Sequence, residues 1–504
     1  MKKIFNLFST VPVSDWFWTG AALLFIIFLL LFFEFATKKW NWNRNVSRKA
    51  VHLIVGLLIC TTPLLFITHI PIILLSLLFV SIDWWAIKTR HLTGIHPNTK
   101  SYGTVFYPIA ILILVLLLWS NYKIIFVLAT LIMVIADAMA ALVGNNYATK
   151  FYIFYEEQKS IPGSITMFAT TGLLLFASIQ FFGDNRMLDN LSVAVLIGVV
   201  ATAAELISKK GSDNLSVPLI AALFLYGFLG EPSETIRFQL TLGIILAALV
   251  AAVSYQMCFL KMNGAVVAFL LGSIIFGFGG LKYTVPILLF FVLSSVLSKT
   301  GRRKKSELEQ SFEKSGVRDM YQVLANGGIP GILMILIFLL QREDWYPIYL
   351  VAIAAATADT WATEIGVFSR HKPHLITNFK TTAPGTSGAI SILGSLAAVM
   401  GSLIILLSGQ IFMPESGTFK LVFFLSLVLC GVLGSFIDSI MGATIQAQYK
   451  CRSCQKNTEK MIHCQQSSIL IRGHVLINND LVNFLSIAVA VVISFVFINI
   501  DFLN

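Results

Sequence analysis

Apolar runs long enough to cross a bilayer recur from one end of this chain to the other, and they restrict the fold before any motif is considered. Each run holds roughly 17–25 mostly apolar residues, the length a helix needs to cross a hydrocarbon layer of about 30 Å. No water inside that layer can satisfy a backbone N–H or C=O, so such runs must close their hydrogen bonds internally as helices. Composition agrees: 57% of the 504 residues are hydrophobic and 12% are charged, with 40 Phe. The mean hydropathy is +0.82, and a soluble domain carries about twice that share of charge. The expected class is an all-α polytopic membrane protein. Its formal charge of +11 reports orientation and contact with anionic headgroups, and implies no nucleic-acid partner. Met1-Lys2-Lys3 opens no signal-peptide pattern, so the N-terminus is expected to be retained.

About sixteen spans are expected. In the first half they are 17–36, 50–67, 70–87, 104–119, 124–143, 164–182, 191–208 and 215–230. In the second half they are 238–256, 264–280, 282–298, 322–340, 346–367, 387–409, 419–446 and 481–500. Alternating the spans puts all 36 basic residues on one side except Lys2, Lys3, Lys123, Arg186, Arg237, Lys282, Arg342 and Lys420. By the positive-inside rule the basic side is cytoplasmic, and a bacterial inner membrane is the expected location. The charged stretch 299–320 falls on that side, where a solvated run near the lipid surface is favoured over a binding site.

Two short stretches repeat. Ala136-Asp137-Ala138-Met139-Ala140 runs on to Gly144, and Ala358-Asp359-Thr360-Trp361-Ala362 runs on to Gly366. In both, a Pro-Gly follows 25 residues after the aspartate (162 − 137 and 384 − 359). Both aspartates end outside-to-inside spans, the fifth and the thirteenth. Eight spans separate them, so the halves, 1–235 and 236–504, read as parallel, related repeats. Each half also has an acid near the inner end of its seventh span, Glu205 and Asp438, and an amide–acid pair before its eighth, Asp213-Asn214 and Asn479-Asp480.

An aspartate at the end of a membrane span is costly to bury and usually has a function or a partner. A carboxylate here can hold Mg²⁺ bridging nucleotide phosphates. Packing satisfied by a neighbouring lysine is the alternative, and the repetition favours function. The turns Gly163-Ser164 and Gly385-Thr386-Ser387 each precede an apolar run, and N–H groups at a helix start attract anionic oxygens. Lys159 and Lys380 lie just before those turns and can add charge to the same phosphates. Arg48, Lys49 and His52 open the second span, with Arg48 and His52 on one helical face. They suit phosphate, and His52 suits a base for an alcohol.

Of the six cysteines, Cys60, Cys258 and Cys430 read as small core residues. Cys451, Cys454, His463 and Cys464 lie in an insert at about 447–478. A CxxC with a nearby His-Cys suits tetrahedral Zn²⁺ in a reducing compartment, with free thiols or a redox pair as the alternative.

Residues 44–230 resemble the superfamily of dolichol kinases, phytol kinases and CDP-diacylglycerol synthases, through RKAVHLIVG, ADAMAALVGNNY, QKSIPGSITMF and SKKGSDNLSVPL. Residues from about 238 to 500 resemble the family that includes plant phytyl-phosphate kinase, through NGGIP, ADTWATEIG, PGTSGAIS, DSIMGATIQ and NNDLVNF. The resemblance implies CTP and Mg²⁺ served by Asp137, Lys159, Gly163, Ser164, Asp213 and Asn214 in the first half. In the second half it implies Asp359, Glu364, Gly385, Thr386, Ser387, Asp438, Asn479 and Asp480. The expected activity is two-step phosphorylation of an isoprenoid alcohol to its monophosphate and then its diphosphate. Its partners would be the bilayer, the alcohol, the isoprenyl phosphate and, in a homo-oligomer, further copies of the chain. The rivals are a lipid-phosphate cytidylyltransferase and a transporter built from parallel repeats.

Overall fold

The structure, a computed structural model, describes residues 11–89, 101–147, 151–154, 157–182, 187–230, 233–300, 317–412 and 421–502. The expectation for the N-terminus and most of that for the 299–320 stretch fall outside these residues. The chain divides into two compact units, Met1–Arg237 and Phe238–Asn504. Among the described residues, twelve helices are long and apolar enough to cross a membrane, and two shorter apolar helices accompany them. A further helix, Tyr346–Gly366, carries Asp359 and is buried at every residue from Ile348 to Ala358. These fifteen stretches cover the sixteen expected spans, because Met262–Lys299 takes in two of them. Spans 264–280 and 282–298 run together as Met262–Lys299, 38 residues broken at Gly280, whose φ of 64° only glycine adopts readily.

The first unit contains α1 (Val13–Lys39), α2 (Arg44–Leu65), α3 (Ile70–Thr89), α4 (Gly103–Leu118) and α5 (Lys123–Tyr147). A hairpin of β1 (Phe151–Phe154) and β2 (Glu157–Ser160) follows, then α6 (Ile161–Phe182), α7 (Met187–Leu206) and α8 (Asp213–Leu229). Helix α1 is fixed at its start by buried Asp15, which accepts from the Ile67 and Thr68 N–H groups at 3.0 and 2.8 Å. Helices α4 and α8, with 16 and 17 residues, are short for a layer of about 30 Å. Their leading loops pack together: Tyr102 N–H donates to the Lys210 carbonyl at 2.8 Å, and Asn214 Nδ2 to the Gly103 carbonyl at 2.9 Å. Inside α5, residues Ile132–Ala136 form a π-helical turn directly before Asp137. Such turns are rare and often sit at functional positions.

The second unit contains α9 (Glu234–Gln256), most of which lies in it, then α10 (Met262–Lys299), α11 (Met320–Leu340) and α12 (Tyr346–Gly366). Strands β3 (His374–Leu375) and β4 (Ala389–Ile390) lead to α13 (Ile392–Gln410) and α14 (Leu421–Thr444). The insert holds β5 (Gln448–Lys450), β6 (Asn457–Thr458), β7 (Ile462–His463), β8 (Gln466–Ser467) and β9 (Ile469–Arg472), before α15 (Asn479–Phe502). Pro286 has no N–H to offer the carbonyl four residues back, that of Lys282. The Tyr346 hydroxyl donates to it instead, at 2.9 Å.

The same local device occurs in both units. Ser160 ends β2 and its Oγ accepts from Gly163 N–H at 3.2 Å; Ser391 follows β4 and its Oγ accepts from Gly394 N–H at 3.1 Å. Each hydroxyl caps a helix start. A Cβ on Gly163 would lie 3.2 Å from the Ala140 carbonyl, and one on Gly394 would lie 2.8 Å from the Ala362 carbonyl. Gly144 meets Gly163, and Gly366 meets Gly394, in the same way. The repeated element is thus S-I-x-G-S, at 160–164 and at 391–395. The matched Pro-Gly spacing is a coincidence. Gly144 to Ser160 is 16 residues (160 − 144), and Gly366 to Ser391 is 25 (391 − 366), so the second unit has a longer loop. Pro384-Gly385 lies in that loop, as a turn with Gly385 at φ 83°, and α13 starts at Ile392 instead of the expected 387.

Gly394→Val is expected to lower stability by about 1–3 kcal/mol, because the new side chain meets backbone that cannot move aside. Gly172→Ala, whose methyl would meet only the Ala194 carbonyl at 3.9 Å, is expected to be neutral or mildly stabilising. Thermal unfolding in detergent compares the two.

Candidate functional site

In the first unit the sequence-expected residues converge. One cavity of about 630 Å³ is lined by Arg48, Lys49, His52, Asp137, Lys159, Gly163, Ser164, Asp213 and Asn214, and also by Glu205. The charges of Asp213, Glu205, Lys159 and Lys49 all act on Asp137. Lys159, expected just before the Gly163-Ser164 turn, sits on β2. Its Nζ donates to Glu205 Oε1 at 2.5 Å and to the Glu205 carbonyl at 3.0 Å. Glu205 Oε2 is buried with no partner among the described residues.

The same cavity has an apolar end. Along α2 its lining passes from Arg48 and Lys49 through His52 to Val55, Leu58 and Ile59, and along α4 from Gly103 through Tyr107 to Ile111. His52 and Tyr107 thus stand between charge and hydrocarbon, their rings 4.6 Å apart. His52 hydrogen-bonds the Met133 backbone, while its Nε2 and the Tyr107 hydroxyl are buried without partners among the described residues.

In the second unit a cavity of about 370 Å³ is lined by Asp359, Glu364, Gly385, Thr386, Ser387, Asp438 and Asn479. The charges of Asp359 and Glu459 act on Asp438. Ser486 Oγ donates to Asp438 Oδ2 at 3.5 Å, and the Asn483 amide, turned with its nitrogen toward the carboxylate, donates at 2.8 Å. Glu364 Oε1 accepts from Ser298 Oγ at 2.6 Å.

Two expected residues are not brought in. Lys380 is exposed in the β3–β4 loop, and Asp480 is buried at the start of α15; neither is among the lining residues. The lysine was paired with a Pro-Gly that is not the helix start, which explains the error. Among the described residues, the lysine or arginine that lines the second cavity is Arg318, from the stretch read as a solvated run. Burial lowers its pKa from the ordinary value and the Glu364 charge opposes that. Gln322, Asn326 and Glu459 also line this cavity and carried no motif signal. Ser395 lines it as Ser164 lines the first, a match that S-I-x-G-S would have revealed. Cys451, Cys454, His463 and Cys464 do gather, their ligand atoms all within 4.8 Å of one another. Cys258, expected in a core, is exposed.

A family model described as Integral membrane protein DUF92 matches residues 245–491. Protein PGR of Arabidopsis thaliana is 32% identical over 272 residues, which is 50% of this chain and 93% of PGR. An uncharacterized membrane protein of Methanocaldococcus jannaschii is 33% identical over 221 residues, 43% of this chain and 87% of that one. The chain belongs to the DUF92 family of integral membrane proteins. This DUF92 protein is also similar to phytol kinases. That of Synechocystis is 33% identical over 128 residues, 25% of this chain and 54% of the kinase. Phytol kinase 1, chloroplastic, of Arabidopsis thaliana is 27% identical over 220 residues, 39% of this chain and 71% of the kinase. No solved structure matches.

The Lys159–Glu205 pair gives this DUF92 protein a pH signature. Burial alone would lower the Lys159 pKa, but the Glu205 charge and hydrogen bond outweigh it and hold the ammonium above its ordinary 10.5. A raised lysine pKa means the pair's contribution is fully present below the ordinary value and lost as pH rises through the folded one. The side chains are only 11% and 12% exposed, so Glu205→Gln, which strands a buried charge, is expected to cost about 3 kcal/mol. That cost should be constant from neutral pH to about pH 10 and shrink above it, as read by melting temperature against pH.

Proposed function

We propose that the first unit transfers a phosphate from CTP to an isoprenoid alcohol, and that the second phosphorylates the resulting monophosphate to the diphosphate. The observation that carries this reading is the polarity of the first cavity, with charged groups at one end, an aliphatic wall at the other, and His52 and Tyr107 between them. A prenol has that pattern: one hydroxyl on a hydrocarbon tail. The alcohol oxygen would sit against Tyr107 and lose its proton to His52 Nε2 as it bonds to the γ-phosphorus, while the bond to the β-phosphate oxygen breaks and CDP leaves. Lys159 and the first-turn amides of α6 would neutralise the phosphate oxygens. Three carboxylates, Asp137, Asp213 and Glu205, with one buried oxygen lacking a partner among the described residues, are hard donors that fit Mg²⁺. When bound there, the ion would neutralise charge on the transferring phosphate.

In the second cavity Asp359 and Asp438 are the corresponding acids, and Arg318 supplies the cation for an acceptor that is itself a phosphate. Fusing the steps keeps a lipid-bound intermediate in one membrane. A bacterial inner membrane, with both sites on the cytoplasmic side, completes the proposal.

Purified protein given labelled CTP or ATP and isoprenoid alcohols of several lengths is expected to form the diphosphate. Asp359→Asn should accumulate monophosphate, and Asp137→Asn should form neither product, each step slowed about 100-fold or more. A CDP-lipid with pyrophosphate would replace this reading by cytidylyl transfer, and no transfer from either nucleotide would end it. Tyr107→Phe, which removes one hydrogen bond to the acceptor, is expected to reduce kcat/KM for the alcohol about tenfold with CTP binding unchanged.

A further inference from the structure

The insert before α15 is too small to hold itself together by a core. Its strands number two to four residues each, and Met461, Ile462, Ile469 and Ile471 are all exposed. Peptide segments of this kind need a staple, commonly a disulfide or a metal. The six cysteines are all free. Two hairpins meet here. One pairs β5 with β6 and turns through Cys451 and Cys454, with Cys451 N–H donating to the Lys456 carbonyl at 3.0 Å. The other pairs β7 with β8 and turns through His463 and Cys464. The left-handed conformations of Gln455, Cys464 and Gln465 turn both loops sharply.

At their meeting point Cys454 Sγ lies 3.5 Å and Cys464 Sγ 3.2 Å from His463 Nδ1. Bond lengths of about 2.3 Å to sulfur and 2.0–2.1 Å to nitrogen put neighbouring ligands of a tetrahedral zinc about that far apart. Three thiolates and an imidazole are soft donors that select Zn²⁺ over Mg²⁺ or Ca²⁺.

The hairpin that carries Cys451 and Cys454 also carries Glu459, one residue beyond β6. Glu459 Oε1 accepts from Ser387 Oγ at 2.7 Å and from Gln446 Nε2 at 2.9 Å, and all three residues line the second cavity. We propose that Cys451, Cys454, His463 and Cys464 bind one Zn²⁺, which clamps the two hairpins together and so holds Glu459 in the wall of the second cavity. Glu459 is a positioning residue in this arrangement, orienting the Ser387 turn. The proposal stands whatever reaction the cavity performs.

The test uses the full chain purified in detergent from zinc-supplemented cells. About one zinc per chain is expected by atomic emission, in the wild type and in Cys258→Ser, and almost none in Cys451→Ser/Cys454→Ser. Co²⁺ exchanged into the wild type should show the visible absorption of a tetrahedral thiolate site. Zinc missing from the wild type, or retained by the double variant, overturns the metal site. Stripping the wild type with a chelator, which needs no substitution, should speed hydrogen exchange across residues 446–459 about tenfold or more and leave α12 unchanged. Unchanged exchange there, with zinc gone, overturns the link to Glu459.

Discussion

Charged side chains share a pocket within a helical membrane protein only where backbones come close enough to exclude lipid. In this protein that approach is made by glycine: Gly144 against Gly163, and Gly366 against Gly394. A methyl group is least tolerable at Gly394, where it would lie 2.8 Å from the Ala362 carbonyl of the aspartate-bearing helix. Membrane helices gain little from apolar burial against each other, since lipid tails are equally apolar, so small residues and polar contacts must hold them. The Ser160 and Ser391 hydroxyls complete the contact by capping the helix starts that the glycines bring in.

On that shared base the two units handle charge differently. The first draws its buried cation from a hairpin strand and pairs it with an acid at the end of a helix, Lys159 with Glu205. The second uses Arg318, from the segment leading into α11, within the field of Glu364. Its loop is longer by nine residues (25 − 16), and Ser387 in that loop is held by Glu459 of the insert. The aliphatic wall that makes the first cavity amphipathic comes largely from α2, α3 and α4.

Much of the first site was legible because its residues lie in short stretches, each with its own signal: a charged helix start at 48–52, an acid in an apolar run at 137, a capped turn at 160–164. Tyr107 was not legible. An aromatic residue in an apolar helix has no distinguishing spacing, and what singles it out is a buried hydroxyl beside His52 with no partner among the described residues. In the second unit the Pro-Gly spacing misled, because chain distance along a loop says little about where the next helix begins. Lys380 was assigned with it and proved exposed, while Arg318 was set aside as solvated charge.

The sequence alone determined that this is a helical membrane protein with an aspartate at the end of an apolar run in each half. Hydrophobic length and the cost of unpaired backbone in lipid leave no other fold, and those quantities can be read along the chain. Which cation, which hydroxyl and which loop reach each aspartate was decided only in three dimensions. Those contacts join residues up to 111 positions apart, as with Gly103 and Asn214, and whether two such groups meet depends on how closely the intervening helices pack.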